Sequence, residues 1–202
     1  MKKCYLVGAG VMSEGFSPDK DDFVIAADGG YAHLCRLGIR TDLFVGDGDS
    51  LGRFPDGVEC VRHEVKKDYT DMHLSYLEGK KRGYTTFEIY GGTGGRIDHT
   101  LANISLLLYA KEKGDNVTLC FDGWRAFIIM NESVALSGAR GNHLSLFAYG
   151  GDAVGVSIRG AEYEADNITL KPDFALGVSN SFTDGQVNVS VSRGALLIVY
   201  GV

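Results

Sequence analysis

The chain has 202 residues, 45% of them hydrophobic and 23% charged, with a formal net charge of −6. That length builds one large domain or two small ones, and the composition excludes a disordered chain. No apolar run approaches the ~18 residues that suggest a spanning helix, and the acidic balance argues against a broad nucleic-acid footprint.

In chain order, MKKCYLVGAG reads as a first strand over Cys4 to Val7, not an export signal, because its apolar stretch is short and broken by glycines. Phe23 to Ala27 is a second strand, stopping at Asp28. Tyr31 to Leu37 is helical and ends at Gly38, a C-cap signal. Leu43-Phe44-Val45 stops at Gly46, and a segment around Val61 to Val65 leads towards Lys66-Lys67-Asp68-Tyr69-Thr70-Asp71. Asp71 to Arg82 places Met72, Leu74, Tyr76 and Leu77 in a helical window closed by Gly83. Phe87 to Tyr90 stops at Gly91. Asp98 to Lys113 carries Leu101, Ile104, Leu107 and Leu108 at helical spacing, with lysines in the last turn before Gly114. Val117 to Phe121 is a fifth apolar run. Short apolar strands alternating with helices predict an α/β domain over residues 1–130, a mostly parallel, Rossmann-like sheet with flanking helices on both faces.

After residue 130 the texture changes. The first 130 residues hold 35 Asp, Glu, Lys and Arg side chains and the rest only 11. Strand-like runs follow one another at His143 to Tyr149, Val154 to Ile158, Gln186 to Val191 and Ala195 to Tyr200. Turn signals separate them, among them Gly150-Gly151-Asp152 and Thr183-Asp184-Gly185. This predicts a small antiparallel β-sandwich over residues 131–202. A sandwich of that size is expected to pack on the first domain or on a partner chain. The four cysteines (Cys4, Cys35, Cys60, Cys120) are widely spaced and read as buried thiols of a reducing, cytoplasmic compartment.

Glycine is over-used, at 28 residues, and it gathers beside aspartate. The strand ending at Ala27 exits into Asp28-Gly29-Gly30, and the one ending at Val45 into Gly46-Asp47-Gly48-Asp49-Ser50. The segment after Val61 leads to Asp71, and the strand ending at Tyr90 leads to Gly91-Gly92-Thr93-Gly94-Gly95 and then Asp98. Ligands of parallel α/β sheets bind at the carboxyl ends of the strands. Four aspartate-bearing exits on one edge call for cations, and all-oxygen donors favour Mg²⁺ shared with substrate phosphates. The Gly91 to Gly95 loop opens onto a helix, so its amides could cradle a phosphate, with Arg96 and Lys66-Lys67 as nearby cations. Thr70, Asp71 and Asp98 also fit helix N-capping. No GK[ST] follows a glycine loop, and Gly8-Ala9-Gly10 lacks the third glycine of a dinucleotide fingerprint. The five histidines form no zinc-ligand pattern, and no GxSxG occurs. His99 is the histidine expected near the site, and Trp124 reads as core or interface.

Four blocks carry a family resemblance: ADGGYAHLCRLGIRTDLFVGDGDS at 27–50, KKDYTDMHLSYL at 66–77, GGTGGRIDHTLANISLL at 91–107 and GVSNSF at 177–182. The sequence resembles the thiamine pyrophosphokinases. The resemblance implies an N-terminal α/β domain, a C-terminal β-sandwich, and a homodimer with active sites between subunits. It implies transfer of pyrophosphate from ATP to the hydroxyl of thiamine, releasing AMP, with Mg²⁺ as cofactor. One departure is Gly48, where the family usually has a bulky residue between the two aspartates. On this reading Asp47, Asp49, Asp71 and also Asp98 hold Mg²⁺ against the triphosphate. Asp28, Gly29, Gly30, Lys67, Gly91 and Gly92 line the nucleotide side, and Arg96 balances transition-state charge. Asp71 or Asp98 takes the proton of the thiamine hydroxyl. Ser179 and Asn180 bond the pyrimidine, with Asp98 close to the acceptor, and Phe182 offers a stacking face. Two competitors share these residues: a pyrophosphokinase for a pterin alcohol, and a non-catalytic nucleotide-binding regulator.

Overall fold

The structure, a computed structural model, describes residues 2–52, 54–62, 68–183 and 185–202. The chain is mixed α/β, rich in sheet with few helices, and divides into two compact units, residues 1–122 and 123–202. No helix among the described residues is long and apolar enough to cross a membrane.

In the first unit the apolar runs form strands β1 (Cys4–Val7), β2 (Phe23–Ala27), β3 (Leu43–Gly46), β4 (Glu59–Arg62), β5 (Thr86–Tyr90) and β6 (Asn116–Phe121). Between them lie helices α1 (Gly30–Leu37), α2 (Asp71–Lys81) and α3 (Ile97–Glu112), and a 3-10 turn at Asp49–Leu51. Each strand pair in the order β4-β3-β2-β1-β5-β6 is parallel, with Leu6 opposite both Ile25 and Ile89. β1 is wholly buried, which its unbroken apolar run requires if both faces of the sheet are covered. Tyr5 and Val7 join Val24, Ala26, Phe44 and Leu34 of α1 in one cluster. On the opposite face, reached by the alternation of side chains, Gly79 of α2 lies against Phe87 and Cys4, and the Tyr76 ring is 5.0 Å from that of Phe87. Gly38 ends α1 in the left-handed region (φ 65°), and Thr70 caps α2 by accepting a bond from the His73 amide at 3.2 Å.

The strand order runs outward from β1 to β4 and restarts on the other side of β1 at β5. Such a reversal is where parallel α/β sheets place their ligands. Here the two exits are joined by backbone bonds: Gly8 N to Tyr90 O, Gly10 N to Gly91 O, and Val11 N to Thr93 O, each 2.8 Å. Glycine makes this possible. A Cβ on Gly10 would lie 2.2 Å from Thr93 O, and one on Gly91 2.2 Å from Gly8 O. At the start of α1, a Cβ on Gly30 would lie 1.8 Å from Val7 O.

The second unit contains β7 (Trp124–Met130), β8 (Ser133–Ser137), β9 (His143–Arg159), β10 (Ala165–Leu170), β11 (Asn180–Ser181), β12 (Gln186–Ser190) and β13 (Arg193–Gly201). Its described pairs are antiparallel, in the order β7-β13-β9-β12-β8, with β10 and β11 also on β9. Alternate residues Leu144, Leu146, Ala148, Val187, Val189, Leu196 and Ile198 fill its core. The expected turn at Gly150-Gly151-Asp152 is instead a bulge within one long strand. Tyr149 pairs with Ala195 and Val154 with Arg193, so the four residues between them face Gly194 alone. Gly150, at φ 77°, supplies the left-handed residue that suits a bulge as well as a turn. In the other expected turn, Asp184 lies outside the described residues. Of the four cysteines, expected to be buried, only Cys4 and Cys120 are; Cys60 is half-buried and Cys35 exposed.

The close approach at Gly30 gives a stability prediction. Gly30→Ala should cost about 3 kcal/mol or more, because the obstacle is backbone and cannot rotate away. Gly38→Ala meets no atom within 4 Å and should cost about 1 kcal/mol, for left-handed strain alone. Urea unfolding of both variants measures the difference, and equal costs would show that the approach at Gly30 constrains nothing.

Candidate functional site

Asp28 follows β2 directly, in the left-handed region (φ 45°) that aspartate tolerates better than most residues. Its amide donates to Val45 O at 2.9 Å, which holds the turn against the end of β3. Asp47 follows β3, and its Oδ1 accepts from the Asp49 amide at 3.1 Å. Asp49 opens the 3-10 turn, and its Oδ1 accepts from Ser50 Oγ at 3.2 Å. Gly46 lets the two exits touch, since a Cβ there would lie 3.0 Å from the Asp28 Cβ. Gly48 sits at φ 77°, so glycine is the relaxed residue at the position where relatives are expected to be bulky.

These turns bring one carboxylate oxygen each from Asp28, Asp47 and Asp49 to within 4.8 Å of one another. Two unit charges at that range repel by about 1 kcal/mol in water and about 4 kcal/mol at an effective dielectric of 20. Asp28 Oδ1 is buried and has no hydrogen-bond partner among the described residues. Three converging carboxylates, one with a buried and unpartnered oxygen, are a donor set that a hard cation would satisfy, and all-oxygen donors fit Mg²⁺.

Asp28, expected on the nucleotide side, has a carboxylate oxygen in the acidic group. Asp71 was expected in that group. It lies half-buried in the first turn of α2, outside the cluster that the described residues form. Asp98 and Arg96 are exposed at the start of α3 and bound to each other, Arg96 Nη2 donating to Asp98 Oδ2 at 2.6 Å and Nε to Oδ1 at 3.1 Å. The guanidinium beside it holds the Asp98 carboxyl below the usual aspartate range. Asp98 is not the N-cap, a position held by Arg96. His99 is exposed beside it. Lys66 and Lys67 lie outside the described residues. Gly29 is half-buried and Gly30 buried, under Ala9 and Val7 respectively.

Gly91 and Gly92, expected to line the nucleotide side, are packed into the fold. Both are buried, Gly91 O is taken by the Gly10 amide, and Gly92 O accepts from Asn103 Nδ2 at 2.7 Å. A Cβ on Gly92 would meet Leu119 at 2.7 Å and Ile89 at 2.8 Å. These two glycines fasten the loop, and the exposed part is Gly94-Gly95. Asn103 was missed by sequence reading. Its signal is a polar residue within the apolar spacing of α3, where burial demands a bonded partner.

The expected thiamine residues separate in the same way. Ser179 is exposed, at φ 64°. Asn180 is buried and turned inward, its Oδ1 accepting from the Tyr163 amide at 3.0 Å and the Ser181 amide at 2.8 Å, its Nδ2 donating to Tyr163 O at 2.7 Å. Phe182 offers no open face: it is 2% exposed, inside the core of the second unit. Its ring centroid is 6.3 Å from that of Tyr200, and a Cβ on Gly138 would touch it at 2.8 Å. Trp124 is half-buried, with its ring parallel to that of His143.

Comparison with known proteins places these residues in context. The family model described as "Thiamin pyrophosphokinase, catalytic domain" matches residues 18–119, and "Thiamin pyrophosphokinase, vitamin B1 binding domain" matches residues 129–196. A thiamine pyrophosphokinase of Bacillus subtilis (strain 168) is 24% identical over 190 residues, which cover 90% of this chain and 88% of that protein. The crystal structure of thiamine pyrophosphokinase from Bacillus subtilis superposes with a TM-score of 0.90 at 21% identity, covering 99% of each chain. That of yeast thiamin pyrophosphokinase gives 0.76 at 15% identity, covering 100% of this chain and 86% of the other. At these identities the structural likeness speaks for the fold.

The burial of Phe182 makes a direct prediction. Phe182→Ala should lower stability by about 3–5 kcal/mol through the cavity it leaves. Calorimetric unfolding reads the loss, and an unchanged melting temperature would mean that the ring is not part of the core.

Proposed function

This chain belongs to the thiamin pyrophosphokinase family, and we propose that it transfers pyrophosphate from ATP to the hydroxyl of thiamine, giving thiamine diphosphate and AMP. The thiamine oxygen attacks the β-phosphorus, the bond from that phosphorus to the α,β-bridging oxygen breaks, and AMP leaves while the hydroxyl proton passes to a base. The observation that carries this reading is the Asp28, Asp47 and Asp49 group, with its unpartnered buried oxygen, inside the catalytic-domain match.

Asp28, Asp47 and Asp49 would hold Mg²⁺, with Asp71 the next carboxylate along the strand exits. When bound there, the ion would neutralise and align the triphosphate oxygens. The exposed Gly94-Gly95 stretch and Arg96 would meet the nucleotide, with Gly29 and Gly30 beside Asp28 and Lys67 as a further cation. Arg96 is tied to Asp98 in the free protein. A triphosphate competing for the guanidinium would release Asp98 beside the acceptor, where it, or Asp71, would take the hydroxyl proton. An ionised Asp98 has open acceptor capacity at neutral pH, and its lowered pKa makes it a weak base until Arg96 departs. Ser179, exposed on the second unit, would contact thiamine. The cationic thiazolium suits an acidic site.

The first unit reads as a Rossmann-like, ATP- and Mg²⁺-binding catalytic domain, residues 1–130 in the sequence division. The second reads as a β-sandwich that binds thiamine and mediates dimerisation, residues 131–202. Exposed apolar side chains on both units, Ile97 and Leu101 on α3 and Phe174, Leu176 and Tyr163 on the second, support a homodimer with its active sites between subunits. The wide spacing of the four cysteines in the sequence supports a reducing, cytoplasmic setting.

Incubation with Mg·ATP and thiamine should release AMP and thiamine diphosphate, while a pterin alcohol should release none. No AMP with thiamine would sink the proposal. Asp47→Asn and Asp49→Asn should each lower kcat by two orders of magnitude or more, as loss of a group that stabilises transition-state charge does. Near-normal turnover of both at limiting Mg²⁺ would remove the metal assignment. Light scattering at micromolar concentration should give a dimer, and a fully active monomer would refute the assembly.

A further inference from the structure

His33 stands on α1, and its ring reaches the loop that leaves β1. Nε2 lies 2.8 Å from Gly10 O and 3.4 Å from Ala9 O. Both are carbonyl acceptors, so Nε2 carries the hydrogen. Nδ1 faces the guanidinium Nη2 of Arg36, a donor, so Nδ1 keeps its lone pair. The two neighbours select one neutral tautomer, which fixes the ring between α1 and the loop.

The loop that His33 holds is itself fused to the β5 exit, through Gly10 N to Gly91 O and Val11 N to Thr93 O. Val11 also fills the space over Gly94, where a Cβ would meet its Cγ2 at 2.5 Å. From the other side, Asn103 of α3 bonds Gly92 O. A double ridge, residues 8–11 against 91–94, therefore crosses the β1/β5 reversal, pinned at one carbonyl from α1 and at another from α3. Its far end runs through Gly95 into Arg96 and Asp98.

We propose that His33 is a positioning residue for the nucleotide: by holding Gly10 O it fixes the ridge, and through the ridge it sets the place of Gly94, Gly95 and Arg96. This rests on the pyrophosphokinase reading for its substrate, but not for its mechanics. His33 is bonded to Gly10 O and to Arg36, and its effect, carried by the ridge, should fall on ATP. Thiamine contacts assigned to the second unit should be insensitive to it.

The test compares His33→Phe, which keeps a ring and loses the donor, with His33→Gln, whose amide can still donate to Gly10 O. One neutral hydrogen bond lost should raise the KM for Mg·ATP about five- to tenfold in the Phe variant. The KM for thiamine should stay within about twofold, and the Gln variant should return to near wild type. Equal changes in both KM values, unchanged KM values, or failure of Gln to rescue would overturn the proposal. Hydrogen exchange over residues 8–12 and 91–95 reads the clamp with no substrate present. Exchange should quicken there in the Phe variant and recover in the Gln variant, and unchanged exchange would also overturn it. A wild-type protein that makes no AMP from thiamine would sink the functional reading, and the exchange result would still decide the clamp.

Discussion

The structure of the first unit depends on backbone coming closer to backbone than any side chain allows. Gly30 against Val7, Gly10 against Thr93 and Gly91 against Gly8 leave no room for a Cβ. From these three contacts follow the seat of α1 under the β1 exit and the fused loops at the strand-order reversal. With Gly46 against Asp28 they crowd the carboxyl edge of the sheet with short, stiff turns. Short turns fix side-chain directions, and the approach of Asp28, Asp47 and Asp49 is the consequence. The glycines thus act as the condition for placing these three aspartates.

That also explains which parts of the site were legible in the sequence. Aspartates stopping four apolar runs were readable because strands of a parallel sheet end together on one edge, so the pattern implies proximity without any coordinates. Which aspartates meet was not readable. Asp28 joins Asp47 and Asp49 because β2 and β3 are neighbours with Asp28 N bonded to Val45 O, a register that no spacing rule gives. Gly91 and Gly92 look like a phosphate cradle in sequence, because a loop glycine that frees an amide and one that admits a neighbouring strand are the same letter. Asn103, which bonds Gly92 O, lies eleven residues further on.

The second unit was less legible, for reasons visible at Gly150 and Phe182. A glycine-rich stretch between two apolar runs fits a reversal and a bulge equally, and only the partner strand β13 separates them. Trp124–Met130 pairs with β13 along its whole length, but its arginine and its place before the change in charge density concealed it. Phe182 follows three polar residues in a motif that resembles a ligand contact. It is carried inward because Phe182 N bonds Asn142 O while Asn180 spends its amide on the Tyr163 backbone. A resemblance marks where a family contact lies, and the hydrogen bonds decide which residues of the motif face out.

Charge decides what this edge can accept. Asp28, Asp47 and Asp49 converge, Asp71 and Asp98 stand on the neighbouring helices, and the chain as a whole carries a net charge of −6. Such an edge repels a bare triphosphate, and Arg96 is already engaged by Asp98. On the proposed reading the acidic group therefore selects a nucleotide that arrives with its divalent cation, and the same field favours a cationic acceptor over a neutral one. Phosphate binding and acceptor choice then have one origin. On that reading the carboxylates that would take a cation beside the phosphates would also make the site hospitable to a positively charged heterocycle, and the ridge pinned by His33 and Asn103 would keep Arg96 where the incoming phosphates can draw it away from Asp98.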